Sequence, residues 1–150
     1  MAVFKIDNNN EIYYEYIAPR SKGKTFVFVN ALTGSTAAWN GNIGDKIVKE
    51  GNGYLAYNFR GQENSKFDKS LFLDTDIIVS DLVQLINSLN LKNVILVGLS
   101  IGGLYAVLAL EKGVQSQGLV LINTLRKNNP RLRWINKTMV NVARYGGTSL

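Results

Sequence analysis

The 150-residue sequence contains no histidine, no cysteine and only two prolines. Without cysteine there is no disulfide framework and no thiolate metal site, a composition that suits a reducing compartment, so the expected location is cytoplasmic. Without histidine the chain has no side chain that ordinarily titrates near neutrality, and it supplies neither an imidazole base nor an imidazole metal ligand. Long hydrophobic runs are missing too. No stretch approaches the roughly 18 to 20 apolar residues of a membrane span, and Met1 to Asn10 alternates without the apolar core of a signal peptide. No membrane partner is expected. Acidic residues are the scarcer sign, with 11 Asp and Glu against 17 Lys and Arg, for a net charge of +6. Apart from a tail carrying Arg126, Arg131, Arg133, Lys137 and Arg144, the basic residues are scattered. No aromatic-and-basic motif accompanies them, so the tail reads as a solvated helix face and no nucleic-acid partner is expected.

What is present is enough apolar material for one compact domain, 46% of residues, arranged in recognisable periods. Ala2 to Ile6 and Glu11 to Ile17 alternate around Asp7, Asn8, Asn9 and Asn10, the pattern of an antiparallel hairpin at a sheet edge. Thr25 to Val29, Tyr54 to Tyr57, Asn93 to Val97 and Gly118 to Ile122 are short apolar runs, as in strands covered on both faces. Between them the spacing predicts helices over 37–50, where Gly51 and Gly53 stop it, from Asp74, Thr75 or Asp76 to Asn90, and over 101–112. A polar loop from Asn58 to about Leu73 is long enough to expect function in it. Strands alternating with helices predict an α/β fold, a mainly parallel sheet with helices on both faces.

Gly98, Leu99, Ser100, Ile101 and Gly102 form Gly-x-Ser-x-Gly between a predicted strand and a predicted helix. A serine there sits on a strained turn with its Oγ clear of the sheet, and the residues two before and two after have no room for a Cβ. The amide of Ile101, at the positive end of the helix, faces a developing oxyanion. Three common residues fall into this register by chance in about a few per cent of chains this long, but a chance match rarely lands on a strand-turn-helix junction. A phosphate-cradling loop fits poorly, because Gly-x-Gly-x-x-Gly and the Lys-Ser/Thr ending of a P-loop are both missing.

With this elbow, the chain resembles the α/β-hydrolase superfamily, particularly its lid-bearing esterase and lactonase branch, over nearly all its length. Val27 to Ser35 with Trp39 resemble the family's strand ending in His-Gly-x, with Asn30 and Ala31 in place of the His-Gly pair; in that pattern Leu32 gives the second oxyanion amide. Asn58 to Ser65 resemble the family's Asp-x-Arg-Gly-x-Gly-x-Ser loop, with Asn58 for the leading Asp. Arg60 is read there as a structural residue that holds loops near the site. The resemblance also implies that the strand Thr25 to Val29 lies beside Asn93 to Val97, which brings Leu32 next to Ser100.

The resemblance implies a catalytic set of Ser100, Ile101 and Leu32, with no metal and no organic cofactor. A serine hydroxyl needs a base, and in this superfamily an acid and then a histidine follow the serine in chain order. Both are therefore expected beyond Leu150. The chain is expected to be the first six strands of an incomplete α/β-hydrolase core over 1–122, followed at 123–150 by the start of a helical lid in which Leu132, Ile135, Met139, Val142 and Ala143 share a side. Its partners would be a small ester-like substrate and the remainder of the same protein, which supplies the acid and the histidine. The expected function is hydrolysis of small carboxylic esters or lactones through an acyl-enzyme. The alternative is a non-catalytic relative that binds a ligand or a protein, which Asn30, Ala31 and Asn58 favour. The 150 residues alone are expected to be inactive.

Overall fold

The computed structural model describes residues 2–124. Six strands form one sheet: β1 (Ala2–Lys5), β2 (Glu11–Ile17), β3 (Thr25–Val29), β4 (Gly53–Tyr57), β5 (Val94–Leu99) and β6 (Ser116–Ile122). Their spatial order is β1-β2-β4-β3-β5-β6. The hairpin β1-β2 is antiparallel and joins β4 antiparallel, while β4, β3, β5 and β6 run parallel. The α/β class, the edge hairpin and the central β3 expected from the sequence are all present, and β3 pairs with β5 from Thr25↔Val94 to Val29↔Gly98.

Alternation along the inner strands divides the core in two. Val27 and Val29 of β3, Leu55 and Tyr57 of β4, and Val94 and Leu96 of β5 face one side. There they pack with Ile78, Val79, Leu82, Leu85 and Ile86 of α2 (Thr75–Ser88) and Tyr105, Ala106 and Ala109 of α3 (Ile101–Glu111). Phe28, Tyr54, Ala56 and Val97 face the other side, where Trp39 and the helix α1 (Asn42–Lys49) cover them. Period-two burial on both faces is why these strands read as continuous apolar runs. Helices thus lie on both faces, as expected.

The helix ends obey local chemistry. Asp74 caps α2, its carboxylate accepting the Ile77 amide at 2.8 Å, and Asn90 closes that helix in the left-handed region, φ 48°. Gly51 does the same after α1, at φ 84°. The single helix expected over 37–50 is a correction. A 3-10 turn at Thr36–Ala38 and α1 are separated by Gly41 at φ 76°, a conformation that an α-helix excludes.

The long loop after β4 has no regular structure but is pinned to the edge hairpin. Glu11 and Lys66 exchange backbone hydrogen bonds of 3.1 and 2.9 Å, and the Asp68 amide donates to Asn10 Oδ1 at 3.0 Å. At the other edge, β6 pairs only with β5 among the described residues, and Leu119, Val120 and Leu121 are exposed. No helix among the described residues is long and apolar enough to cross a membrane. The expected start of a lid lies outside the described residues from 125 onward.

Candidate active site

Ser100 stands at the junction of β5 and α3 with φ 56° and ψ −121°. An L-residue meets steric resistance there, at a cost of about 1–3 kcal/mol that the surroundings must hold. Several contacts hold it. The Ser100 amide donates to the Ile122 carbonyl at 2.8 Å, extending the β5-β6 ladder to the turn itself, and the Ser100 carbonyl accepts the Gly103 amide at 3.1 Å. A Cβ on Gly98 would meet the backbone of Gly102 and Gly103, and one on Gly102 would strike the carbonyl oxygens of Val29 and Asn30. Both glycines required by the motif are therefore required by backbone packing. A Cβ on Gly103 would run into the Thr124 side chain, so the segment after β6 closes against the elbow as well.

Ser100 occupies the N-cap position of α3, where a serine hydroxyl usually accepts a backbone amide. Here the side chain makes no capping bond, and the residue is exposed. The amide of Ile101, the first residue of the helix, has no intrahelical acceptor. Neither it nor the Leu32 amide donates to an acceptor among the described residues. Leu32 lies in a turn three residues beyond Val29 and is 67% exposed. Since Val29 pairs with Gly98 and the Gly102 backbone abuts Val29 and Asn30, the Leu32 turn begins beside the first turn of α3. Ser100, Ile101 and Leu32 thus belong to the same end of two adjacent parallel strands.

A buried set of amide side chains underlies that turn. Asn30, 1% exposed, donates from Nδ2 to the Tyr57 carbonyl at 2.7 Å and to Asn58 Oδ1 at 3.2 Å, and its Oδ1 accepts the Trp39 indole N–H at 2.6 Å. Asn58 accepts the Thr36 amide at 2.8 Å and donates to the Glu63 carbonyl at 2.6 Å. Gln62 accepts the Phe59 amide at 2.8 Å and donates from Nε2 to the carbonyls of Ala31 and Leu32, both at 3.0 Å. Every one of these amides meets an indole or backbone N–H at its oxygen and a backbone carbonyl at its nitrogen. Neither partner type can reverse its role, so all three orientations are fixed. Asn30 and Asn58, read from sequence as departures from the family pattern, are hydrogen-bonded to each other.

Arg60 has the holding role expected of it, and its partner is Asp81 on α2. Arg60 Nε and Nη2 donate to the two carboxylate oxygens, each at 2.6 Å, with the residues 8% and 2% exposed. The hydrogen bonds to Asp81 raise the Arg60 pKa still further, so the guanidinium stays charged. Nearby, Tyr57, Phe59 and Tyr105 stack edge to face at 5.6 and 5.4 Å. The Tyr57 hydroxyl is buried without a hydrogen-bond partner in the described structure, and burial, followed by the Asp81 charge, pushes its pKa well above the ordinary value.

Two hollows flank these elements. One of ≈ 290 Å³ is lined by Leu32, Thr33, Ser35, Gln62 and Glu63 among others, at the Leu32 turn. A larger cleft of ≈ 710 Å³ runs between β2 and α1 and touches none of Leu32, Ser100 and Ile101. Among the described residues no group of three or more Asp and Glu side chains converges as a metal site would require.

A strained serine on a strand-to-helix turn of a parallel sheet defines a class, and comparison with known proteins agrees. The α/β-hydrolase fold family matches residues 24–148, and the chain belongs to it. No curated protein matches the sequence. Among solved structures, the chain is similar to MGS-M2, an α/β-hydrolase enzyme from a Medee basin deep-sea metagenome library, with 24% identity and a TM-score of 0.81 over 97% of this chain and 52% of that one. A structure from work on carboxylesterases of the thaumarchaeon Nitrososphaera gargenis is similar at 21% identity and a TM-score of 0.83, over 97% and 54%. A bromoperoxidase from Bacillus anthracis is similar at 28% identity and a TM-score of 0.74, over 85% and 47%. The chain spans about half the length of these structures.

Proposed function

We propose that this chain carries the nucleophile and oxyanion hole of a serine hydrolase acting on small carboxylic esters or lactones. The observation that carries the reading is the backbone of Ser100, at φ 56° and ψ −121° on a turn whose flanking glycines admit no Cβ. Ser100 Oγ attacks the substrate carbonyl while an imidazole takes its proton. The carbonyl oxygen, now negative, receives the N–H groups of Ile101 and Leu32. As the carbonyl re-forms, the C–O bond to the alcohol breaks, and the alcohol leaves with the proton from the imidazole. Water then adds to the acyl-serine by the same route and releases the acid.

The imidazole comes from polypeptide outside these 150 residues, because the chain has no histidine, and the acid that orients it comes from there too, following the serine as in this family's chain order. The isolated chain accordingly lacks ordinary turnover and reacts only once assembled with the remainder of the same protein, in the cytoplasm. The fold family itself, with esterases and a bromoperoxidase among its similar structures, supports a hydrolase without selecting the substrate. Asn30, Ala31 and Asn58, which depart from the family pattern in a chain without histidine, also favour a second reading, a ligand- or protein-binding relative without catalysis.

One experiment separates them. In the assembled protein a fluorophosphonate probe labels Ser100, and Ser100→Ala abolishes hydrolysis of small aryl esters. Labelling at a different serine, or unchanged turnover in the alanine variant, overturns the assignment, and an unreactive wild-type protein favours the binding reading.

A further inference from the structure

We infer that Gln62 is the residue that aims the Leu32 amide at Ser100. The inference rests on the oxyanion reading above and adds to it a residue that touches no substrate. A trans peptide unit is planar, so the C=O of Ala31 and the N–H of Leu32 lie in one plane and point in opposite directions. Fixing the first therefore fixes the second. Gln62 Nε2 donates to the Ala31 carbonyl at 3.0 Å, and the Gly34 amide donates to the same oxygen at 3.0 Å. Nε2 also donates to the Leu32 carbonyl at 3.0 Å, which holds the next peptide plane.

The direction follows from the strand order. β3 lies between β4 and β5, so the turn after β3 has the loop of Gln62 on one side and the Ser100 elbow on the other. A carbonyl drawn toward Gln62 leaves the Leu32 N–H pointing away from the β4 side, toward the β5 side where Ser100 stands. Gln62 is itself anchored through Oε1, which accepts the Phe59 amide at 2.8 Å and faces Asn30 Nδ2 at 3.3 Å. All of its hydrogen-bonding atoms are thus engaged, and it joins two loops that share no ladder beyond the ends of their strands. The side chain must be an amide. A carboxylate would set a third acceptor against two carbonyls, and an ammonium would lose the Phe59 amide.

The test compares Gln62→Ala and Gln62→Glu with wild type in the assembled protein, using two readouts. Hydrogen exchange of the peptide containing Gly34 and Thr36 reports the order of the turn and does not depend on catalysis. Their amides are tied to Ala31 O and Asn58 Oδ1, so both variants should exchange about tenfold faster there than wild type, with α2 unchanged. Ester turnover reports the aim: removing an oxyanion donor outright costs about 10²–10³ in kcat, so misaiming one should lower kcat at least tenfold and leave KM within about threefold. In Gln62→Glu the loss relative to wild type at the same pH should shrink as pH falls towards about 4, because the protonated acid regains one donor. Unaltered exchange in both variants overturns the inference whether or not Ser100 is the nucleophile. Altered exchange with kcat and its pH profile unchanged from wild type overturns it as well. Failure of Ser100 to react in the wild-type protein is the separate failure of the oxyanion reading.

Discussion

The backbone of Gly102 lies directly against the carbonyl oxygens of Val29 and Asn30, with no space between them for a single methyl group. The first turn of α3 therefore rests on the end of β3, and this contact sets the distance between the serine turn and the Leu32 turn. Gly102→Val should lower the stability of the fold by on the order of 1 to 3 kcal/mol or more, since backbone carbonyls at the end of a paired strand cannot move aside as a flexible side chain can. Gly102→Ala should show the same direction to a smaller extent. Thermal or urea unfolding measures it, and a valine variant that melts like wild type would show the turn to be looser than described.

The Arg60–Asp81 pair joins the loop after β4 to α2 across two nearly buried charges. Asp81→Ala strands the guanidinium without its counter-charge and should cost about 3 to 5 kcal/mol, whereas the double change Arg60→Met with Asp81→Leu should cost far less. Urea unfolding of the two variants decides between them. A double variant as unstable as the single one would mean that the geometry of the ion pair, and not the avoidance of an unpaired charge, holds the loop.

Much of this was legible in the sequence, and the illegible part has a physical pattern. Inner strands buried on both faces announce themselves as apolar runs, and the elbow does so because strain demands glycine at fixed offsets. The break at Gly41 was hidden, since Gly41 and Gly44 both fall in the amphipathic stretch and a glycine there is compatible with either a helix or a turn; Gly44 lies inside α1. Arg60 could be assigned a holding role, but its partner could not be chosen among the acidic residues of α2 without the third dimension. Gln62 gave no signal at all: its partners, apart from Asn30, are backbone atoms, which every residue carries. Asn30 and Asn58 did leave a trace, because both depart from the family pattern toward a neutral amide, and two such changes together suit a pair in contact.

The Tyr57 hydroxyl has no partner in the described structure, although it is fully enclosed. Tyr57→Phe should therefore stabilise the fold at neutral pH by about 1 kcal/mol, because it removes a desolvated group that gains nothing in return. Burial raises the phenol's pKa in the folded state, so its contribution is fully present below about pH 10, the unfolded value, and is lost as pH climbs towards the folded one. The advantage of the phenylalanine variant should widen in alkali. Unfolding curves at neutral pH and above pH 10 test both halves, and a less stable variant at neutral pH would reveal a hydrogen bond to the hydroxyl.

The pairing of Val29 with Gly98 also governs when the serine turn can form. The hairpin β1-β2 closes a short loop, but β3 must wait for β4 and then for β5, with α1, the long loop and α2 in between. Closing such loops forfeits chain entropy before any contact repays it, so this topology folds slowly compared with one built from neighbours. The strained dihedrals of Ser100 lean on β3, on Ile122 and on the segment at Thr124. The elbow is therefore expected to form late in folding, with the serine of a polypeptide emerging from the ribosome in an ordinary, relaxed conformation until β6 pairs with β5.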